Sequence, residues 1–367
     1  MNFFYDHQTF SLQNYGGISR YFSELICGIN ASTAHTAYLS VRYTDNVYAH
    51  ELGLVSKSFL PDVDFPKRMP IVYRINKLFS TCDLLTRSCD VVHATYYDPY
   101  FLRFTSRKPT VVTFLDMTHE RLGAQFKELA ADRSITARKR EVAKRATQII
   151  AISESTKQDI VNLFGVDPDK IKVVYLGNSL KSVDPSDTTI PNVSSPYILY
   201  VGNRGYYKNF TLFLTAVVPI LRSNGLRLVC AGGGEFTKKE IELINYLGVT
   251  AFVEQLPIND QSLRKLYTKA TLFAFPSLYE GFGIPVLEAF SCNCPCVLSN
   301  QSSLPEVAGG AAVYFDPTDI DSIRTSITRV IDDKVLRMAL IELGRQQVTK
   351  FSWQRTVEET VILYESL

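Results

Sequence analysis

The chain has 367 residues, 46% of them hydrophobic and 21% charged, with 39 basic and 37 acidic side chains for a formal charge of +2. That length exceeds what one ordinary core fills, so two domains of roughly 150 to 190 residues each are expected, and the composition excludes a disordered chain. A net charge so near zero removes any global electrostatic case for binding nucleic acid.

In chain order, the opening "MNFFYDHQTF" has neither a charged leader nor an apolar h-region. No window reaches about 18 uninterrupted apolar residues, so the expectation is a cytoplasmic protein without a membrane span. The first half then alternates apolar runs with helical patterns. Strands are predicted at "NFFYD", "TAYLSV", "DVVHAT", "TVVTF", "TQIIAIS" and "IKVVYL", and helices at stretches such as "ISRYFSELICGI" and "ITARKREVAKRA". Residues 177–196, "GNSLKSVDPSDTTIPNVSSP", are rich in Ser, Pro, Asp and Asn and read as a linker. The second half repeats the grammar in "YILYV", "LRLVCA", "TAFVEQL", "TLFAF", "PCVLS" and "AAVYF". Strand, turn and helix repeated in this way predict an α/β fold of two doubly wound, Rossmann-like domains: 1–178, a linker at 179–196, and 197–350. Residues 351–367, "FSWQRTVEETVILYESL", read as a closing amphipathic helix that either domain could take.

The seven cysteines, Cys27, Cys82, Cys89, Cys230, Cys292, Cys294 and Cys296, lack the paired spacing of a zinc site or a disulfide framework. The run "CNCPC" has period-two spacing leading into an apolar strand, which fits reduced, buried thiols.

In open parallel sheets, ligands bind beyond the carboxyl ends of the strands. After "YILYV" come Gly202, Arg204 and Lys208, and after "LRLVCA" come Gly232, Gly233 and Gly234. After "TLFAF" come Glu280, Gly281, Phe282 and Gly283, and after "PCVLS" come Ser302 and Ser303. Glycines let the backbone approach an anion, and Pro285 at a helix start leaves its first turn facing one. Arg204 and Lys208 could neutralise a diphosphate. Carboxylates would repel it, so Glu280 and Glu288 need hydroxyl partners: a sugar for the first, a ribose for the second. Taken singly, each residue also fits an ordinary structural role; their shared position on one sheet edge carries the functional reading.

At these residues the chain resembles retaining glycosyltransferases of the GT-B fold, family four. The stretch "SLYEGFGIPVLEAFSCNCPCVLSNQSSLPEVAG" is similar to that family's Glu-x7-Glu segment, "YVGNRGYYKNF" to its diphosphate clamp, and "SLQNYGGISRYFSEL" to its N-terminal glycine loop. The resemblance implies two domains facing across a cleft, with the last helix completing the first domain. It implies Glu280 on donor-sugar hydroxyls, Glu288 on the ribose, and Arg204 and Lys208 on the diphosphate beside Gly202 and the N–H groups of Phe282 and Gly283. Gly16 and Gly17 would lie across the cleft from the donor phosphates. Many relatives place a sugar-touching histidine before the aspartate of a "TVHD"-like segment; here "VTFLDM" has Leu115 before Asp116, and Asp116 joins the catalytic candidates. Where relatives have glycine in a "CGxPV" turn this chain has Asn293, which tolerates a left-handed backbone.

The nearest resemblance is to bacterial surface-polysaccharide mannosyltransferases, implying GDP-mannose as donor and a lipid-linked saccharide as acceptor. Front-face attack within an ion pair needs no protein nucleophile, and alanine at Arg204, Lys208 or Glu280 is expected to lower turnover without unfolding the protein. No metal or other cofactor is expected, since the Asp-x-Asp pairs Asp62/Asp64, Asp167/Asp169 and Asp319/Asp321 read as turn and cap residues. Two basic stretches, 67–79 and 133–145, could lie on an anionic membrane or be plain surface helices. Other readings are a UDP- or dTDP-sugar donor, a GT-B-fold nucleotide-sugar epimerase, and a non-catalytic nucleotide-sugar-binding subunit.

Overall fold

The computed structural model describes residues 1–60, 63, 67–105, 107–130, 133–178, 180 and 196–367. The linker stretch 181–195 and the pair Asp62/Asp64 lie outside the described residues. The chain divides into two compact units, Met1–Leu176 with Trp353–Leu367, and Gly177–Ser352.

Unit one is built on six parallel strands: β1 (Asn2–Tyr5), β2 (Thr36–Leu39), β3 (Val91–Ala94), β4 (Thr110–Phe114), β5 (Gln148–Ala151) and β6 (Ile171–Val173). Their order is β2-β1-β3-β4-β5-β6, so the winding direction reverses between β1 and β3. Pairing of Phe3 with Val91 and Tyr5 with His93 brings the carboxyl ends of those two strands level. All four residues of β3 and all five of β4 are buried, as strands covered on both faces must be. The closing helix Trp353–Glu365 packs on this unit. Gly28 on the helix Gly17–Ser32 lies so close to it that an added Cβ would meet Val357 Cγ2 at 2.5 Å. Tyr364 reaches the sheet, where its hydroxyl hydrogen-bonds Tyr5 at 2.8 Å and also His93 Nδ1. Burial holds the His93 ring neutral, with its pKa lowered to about 3.

The basic stretch at 67–79 forms the helix Arg68–Thr86, but its buried face is Val72, Asn76, Ser80 and Leu84, while Ile71, Leu78 and Phe79 are exposed. Asn76 selects that face. Its side-chain oxygen accepts from the N–H groups of Arg42 and Tyr43, each at 3.0 Å, and its amide donates to Ser11 Oγ and the Tyr43 carbonyl. A buried amide with that many bonds outweighs the burial of Ile71, Leu78 and Phe79.

Unit two carries β7 (Tyr197–Val201), β8 (Arg227–Ala231), β9 (Val253–Leu256), β10 (Leu272–Phe275), β11 (Cys296–Ser299) and β12 (Ala312–Phe315). All are parallel in the order β12-β11-β10-β7-β8-β9, the doubly wound dinucleotide-domain order read from its opposite edge. Cys292, Cys294 and Cys296 are free and buried, Cys296 inside β11. Asn293 does adopt the left-handed backbone, with φ +57°, and Arg345 Nε donates to its side-chain oxygen at 2.7 Å. No described helix is long and apolar enough to cross a membrane.

Candidate functional site

In unit two the strand order reverses between β7 and β10, where an open sheet offers a ligand crevice. Leu272 pairs with Ile198 and Phe273 with Leu199, a register that, continued, sets Val201 level with Phe275. The loops that follow therefore leave the sheet side by side. The Leu278 N–H donates to the Tyr207 carbonyl at 2.7 Å, and Asn209, in a left-handed conformation at φ +59°, donates to the carbonyls of Pro276 and Pro317 at 3.3 and 2.7 Å.

This junction brings Lys208 and Glu280 together. Lys208 Nζ lies 2.6 Å from Glu280 Oε1, with the two side chains 20% and 13% exposed. The lysine also sits over the Tyr207 and Phe275 rings, at 5.0 and 5.6 Å from their centroids. The Glu280 loop is fixed from β11's side: the Glu280 N–H donates to Ser302 Oγ at 2.8 Å, and Ser303 Oγ donates to the carbonyls of Glu280 and Phe282, each at 2.9 Å. Gly283 has φ +103°, and a Cβ there would meet Leu304 Cδ2 at 2.8 Å. The helix Ile284–Ser291 starts at that glycine with Pro285 in its first turn, so the positive end of its dipole falls at the loop. Glu288, the helix's fifth residue, is buried and accepts from the Tyr267 hydroxyl at 3.2 Å.

Arg204 has different partners from those expected of a diphosphate clamp. Its side chain is 2% exposed, and Nε donates to Glu240 Oε1 at 2.9 Å. Nη1 donates to the Gly232 carbonyl at 3.0 Å, and Nη2 to the carbonyls of Gly234 and Glu235, both at 2.9 Å. The guanidinium thus holds the glycine loop after β8 in place. That loop packs directly on Gly202, itself at φ +105°, because a Cβ at Gly233 would sit 2.5 Å from the Gly202 carbonyl. Glu240 was not singled out from sequence. Its signal was the Thr-x-x-Glu capping box at Thr237, in which Glu240 Oε2 accepts from the Thr237 N–H at 2.6 Å and leaves Oε1 for Arg204. Alanine at Arg204 would therefore remove a buried fork that bonds Glu240 and three backbone carbonyls.

The remaining candidates belong to unit one. Gly16 caps and Gly17 begins the helix Gly17–Ser32, with Ser19 Oγ donating to the Gly16 carbonyl at 3.0 Å. Asp116 follows β4; Lys139 Nζ donates to its backbone carbonyl at 3.0 Å and to Glu120 Oε2 at 3.1 Å. Burial pushes the Asp116 carboxyl upward, but the Lys139 ammonium and the Thr118 N–H outweigh it and hold it below the usual carboxylate range. Of the aspartate pairs, Asp167 caps a short turn by accepting from the Asp169 N–H, and Asp319 caps the helix Ile320–Asp332 by accepting from the Asp321 N–H. Among the described residues no three His, Cys, Asp or Glu side chains are grouped to hold a metal ion.

Comparison with known proteins gives two family matches. Residues 15–181 match the model described as Glycosyltransferase Family 4, and residues 187–347 that of Glycosyl transferases group 1. The O-antigen chain mannosyltransferase B of Escherichia coli is 27% identical over 323 residues, 83% of this chain and 82% of that one. A glycosyltransferase of Methanocaldococcus jannaschii is 29% identical over 302 residues, 75% of each chain. Among solved structures, the sucrose-phosphate synthase of Thermosynechococcus elongatus superposes with a TM-score of 0.79 at 15% identity, over all of this chain and 98% of that one, a likeness of fold.

Proposed function

The chain belongs to the GT-B glycosyltransferases of family four, and from that premise we propose that it is a retaining hexosyltransferase using a nucleotide diphosphate sugar, with mannose from GDP-mannose the leading donor. The acceptor on this reading is a lipid-linked saccharide of bacterial surface-polysaccharide assembly, a choice supported by the similarity to the O-antigen chain mannosyltransferase of Escherichia coli. The observation that carries the reading is the Lys208–Glu280 pair at the reversal point of the second sheet.

Transfer breaks the bond between the anomeric carbon and the diphosphate oxygen, and the bonding pair stays on the diphosphate. The acceptor hydroxyl forms the new glycosidic bond, and its proton passes to the departing diphosphate oxygen. Charge grows on the leaving diphosphate while the ring acquires oxocarbenium character. Lys208 and the dipole end at Gly283 are the groups in unit two suited to the growing charge, and preorganised donors of this kind contribute roughly 3 kcal/mol each. Glu280, released from part of its pairing when phosphate takes the ammonium, accepts from sugar hydroxyls, and Glu288 accepts from the ribose with Tyr267 fixing its rotamer. Arg204 acts through the backbone of Gly232–Glu235 as a positioning residue.

The exposed Ile71, Leu78 and Leu85 on the helix Arg68–Thr86, together with its basic residues, support peripheral contact with anionic lipid at the cytoplasmic face. Charge reversal at Lys67 and Arg74 that left vesicle co-sedimentation unchanged would remove this part.

The test of the donor site is a thermal-shift panel of GDP, UDP, dTDP and CMP. Ligand at about 100 times its dissociation constant adds about 2.7 kcal/mol of stability. The Lys208→Ala and Glu280→Ala variants are expected to lose on the order of 10²-fold in turnover. An epimerase would release product from donor alone, and a binding subunit would shift with nucleotide yet neither transfer nor hydrolyse the donor.

A further inference from the structure

The helix Arg133–Arg145 turns one of its basic side chains inward. Ile135, Val142 and Ala143 belong to its buried stripe, and Lys139 sits within that stripe at 2% exposure, while Arg138, Arg140, Lys144 and Arg145 are exposed. Lysine is almost never buried so completely unless it is paired. Replacing a buried ion pair with well-packed apolar residues is often neutral or stabilising, so fold stability alone does not call for a lysine here.

The ammonium has three N–H donors, and each finds an acceptor. These are the Asp116 carbonyl at 3.0 Å, Glu120 Oε2 at 3.1 Å and Asp116 Oδ1 at 3.4 Å. Nζ also lies 5.2 Å from the centre of the Tyr97 ring. The two carboxylates differ in what they have left. The Glu120 side chain is 3% exposed and uses both oxygens, since Oε1 accepts from Thr136 Oγ1 at 2.8 Å. Asp116 Oδ1 takes the Thr118 N–H at 2.9 Å as well as the ammonium, whereas Oδ2 has no hydrogen-bond partner among the described residues and the side chain is 39% exposed. One ammonium against two carboxylates leaves a negative charge over, and Asp116 Oδ2 is where that charge meets solvent.

Asp116 stands just past the carboxyl end of β4, the edge at which open parallel sheets present ligand-binding groups. We propose that Lys139 is a positioning residue for sugar transfer: anchored on Glu120, it fixes the Asp116 carboxylate with Oδ2 free to accept from a saccharide hydroxyl. This rests on the glycosyltransferase reading and gives a part to a side chain that never touches substrate. Asp116 takes no proton in it, because the acceptor's proton goes to the diphosphate. The charged and titratable groups facing Asp116 are Lys139, His119, Glu120 and Tyr97. Burial pushes the Asp116 carboxyl up, and of these groups Lys139 opposes that most strongly.

The test makes two measurements on the full chain. In the first, isotope-labelled aspartate carboxyls are titrated by NMR, with Asp116 assigned as the signal missing from Asp116→Asn. In the second, the acid limb of kcat is followed with GDP-mannose and a synthetic lipid-linked mannobiosyl diphosphate. Lys139→Met/Glu120→Gln removes the ammonium without stranding a buried carboxylate, and the new amide still accepts from Thr136. Burial then acts on Asp116 unopposed by the lysine, so its titration and the acid limb should both rise by about one pH unit or more, about a tenfold change in the ionised fraction. Glu120→Gln alone keeps the ammonium and gives it wholly to Asp116, so neither should rise. An unmoved titration in the double variant, a rise in Glu120→Gln, or a titration that rises while the acid limb stays put overturns the proposal. Loss of turnover by the same factor at every pH overturns it too, since damaged packing alone gives that result. Failure of the glycosyltransferase reading shows separately, as a wild type that transfers no mannose and shifts with no nucleotide; that ends the role in transfer, while the titration still decides whether Lys139 governs Asp116.

Discussion

Replacing Arg204 with alanine separates a residue that builds the site from one that touches the ligand. The wild-type guanidinium bonds Glu240 and the carbonyls of Gly232, Gly234 and Glu235 at 2.9 to 3.0 Å. Breaking a buried pair by removing one partner costs 3 to 5 kcal/mol in general. Here Glu240 keeps its bond to the Thr237 N–H, and Gly233, Gly234 and Glu235 are exposed enough for water to replace part of the fork. The expected loss is therefore about 2 to 3 kcal/mol. A domain of this size loses about 2 to 4 °C of Tm per kcal/mol, so the transition of unit two should fall by roughly 5 to 10 °C in calorimetry. Nucleoside diphosphate affinity should weaken alongside, because the loop packed on Gly202 is no longer fixed. Arg204→Lys should fail to restore either property, since an ammonium cannot reproduce a planar fork aimed at four acceptors. A variant with unchanged Tm and abolished nucleotide binding would refute this account and return Arg204 to direct contact with phosphate.

Lys208→Ala is the contrast: its pair with Glu280 is partly exposed, so the Tm should move by no more than a few degrees while turnover falls about 10²-fold. Gly28→Ala should destabilise unit one by about 1 to 3 kcal/mol, read by urea denaturation, and Val357→Ala should recover part of it by making room. Gly233→Ala should weaken nucleotide binding in thermal shift, because its Cβ meets backbone that cannot swing aside and φ is +71°. His7 and His93 are buried neutral, each with its pKa lowered by burial to about 3. The unfolded chain binds more protons below pH 6.5, so this stability is present above that value and is lost as pH falls toward 3. Between pH 7 and 5 the two should together remove about 4 kcal/mol, and denaturation midpoints that do not move across that window would contradict it.

All twelve strands among the described residues lie at apolar runs read from the sequence, because strands covered on both faces must be apolar almost throughout. The loops at the second sheet's reversal were legible for the same reason: once the strands are placed, their carboxyl ends are placed. Arg204's partners in the structure were not legible, since they are mainly backbone carbonyls and carry no side-chain signature. The buried face of the helix Arg68–Thr86 was not legible because a hydrogen-bonded asparagine, rather than an apolar residue, turns it inward. The Lys139 cluster was invisible because its two carboxylates lie 19 and 23 residues earlier in the chain, and only the tertiary fold brings them to one ammonium.

The closing helix gives the chain an order of assembly that runs against its order of synthesis. Tyr364 supplies the hydroxyl that the core pair Tyr5 and His93 bond, and Thr356 Oγ1 bonds the Tyr175 carbonyl at 2.7 Å. During translation the first unit must therefore wait, its His93 ring lacking this partner, while some 180 further residues emerge and can fold ahead of it. A chain ended after Ser352 would carry every element of the second unit and a first unit still lacking its last helix.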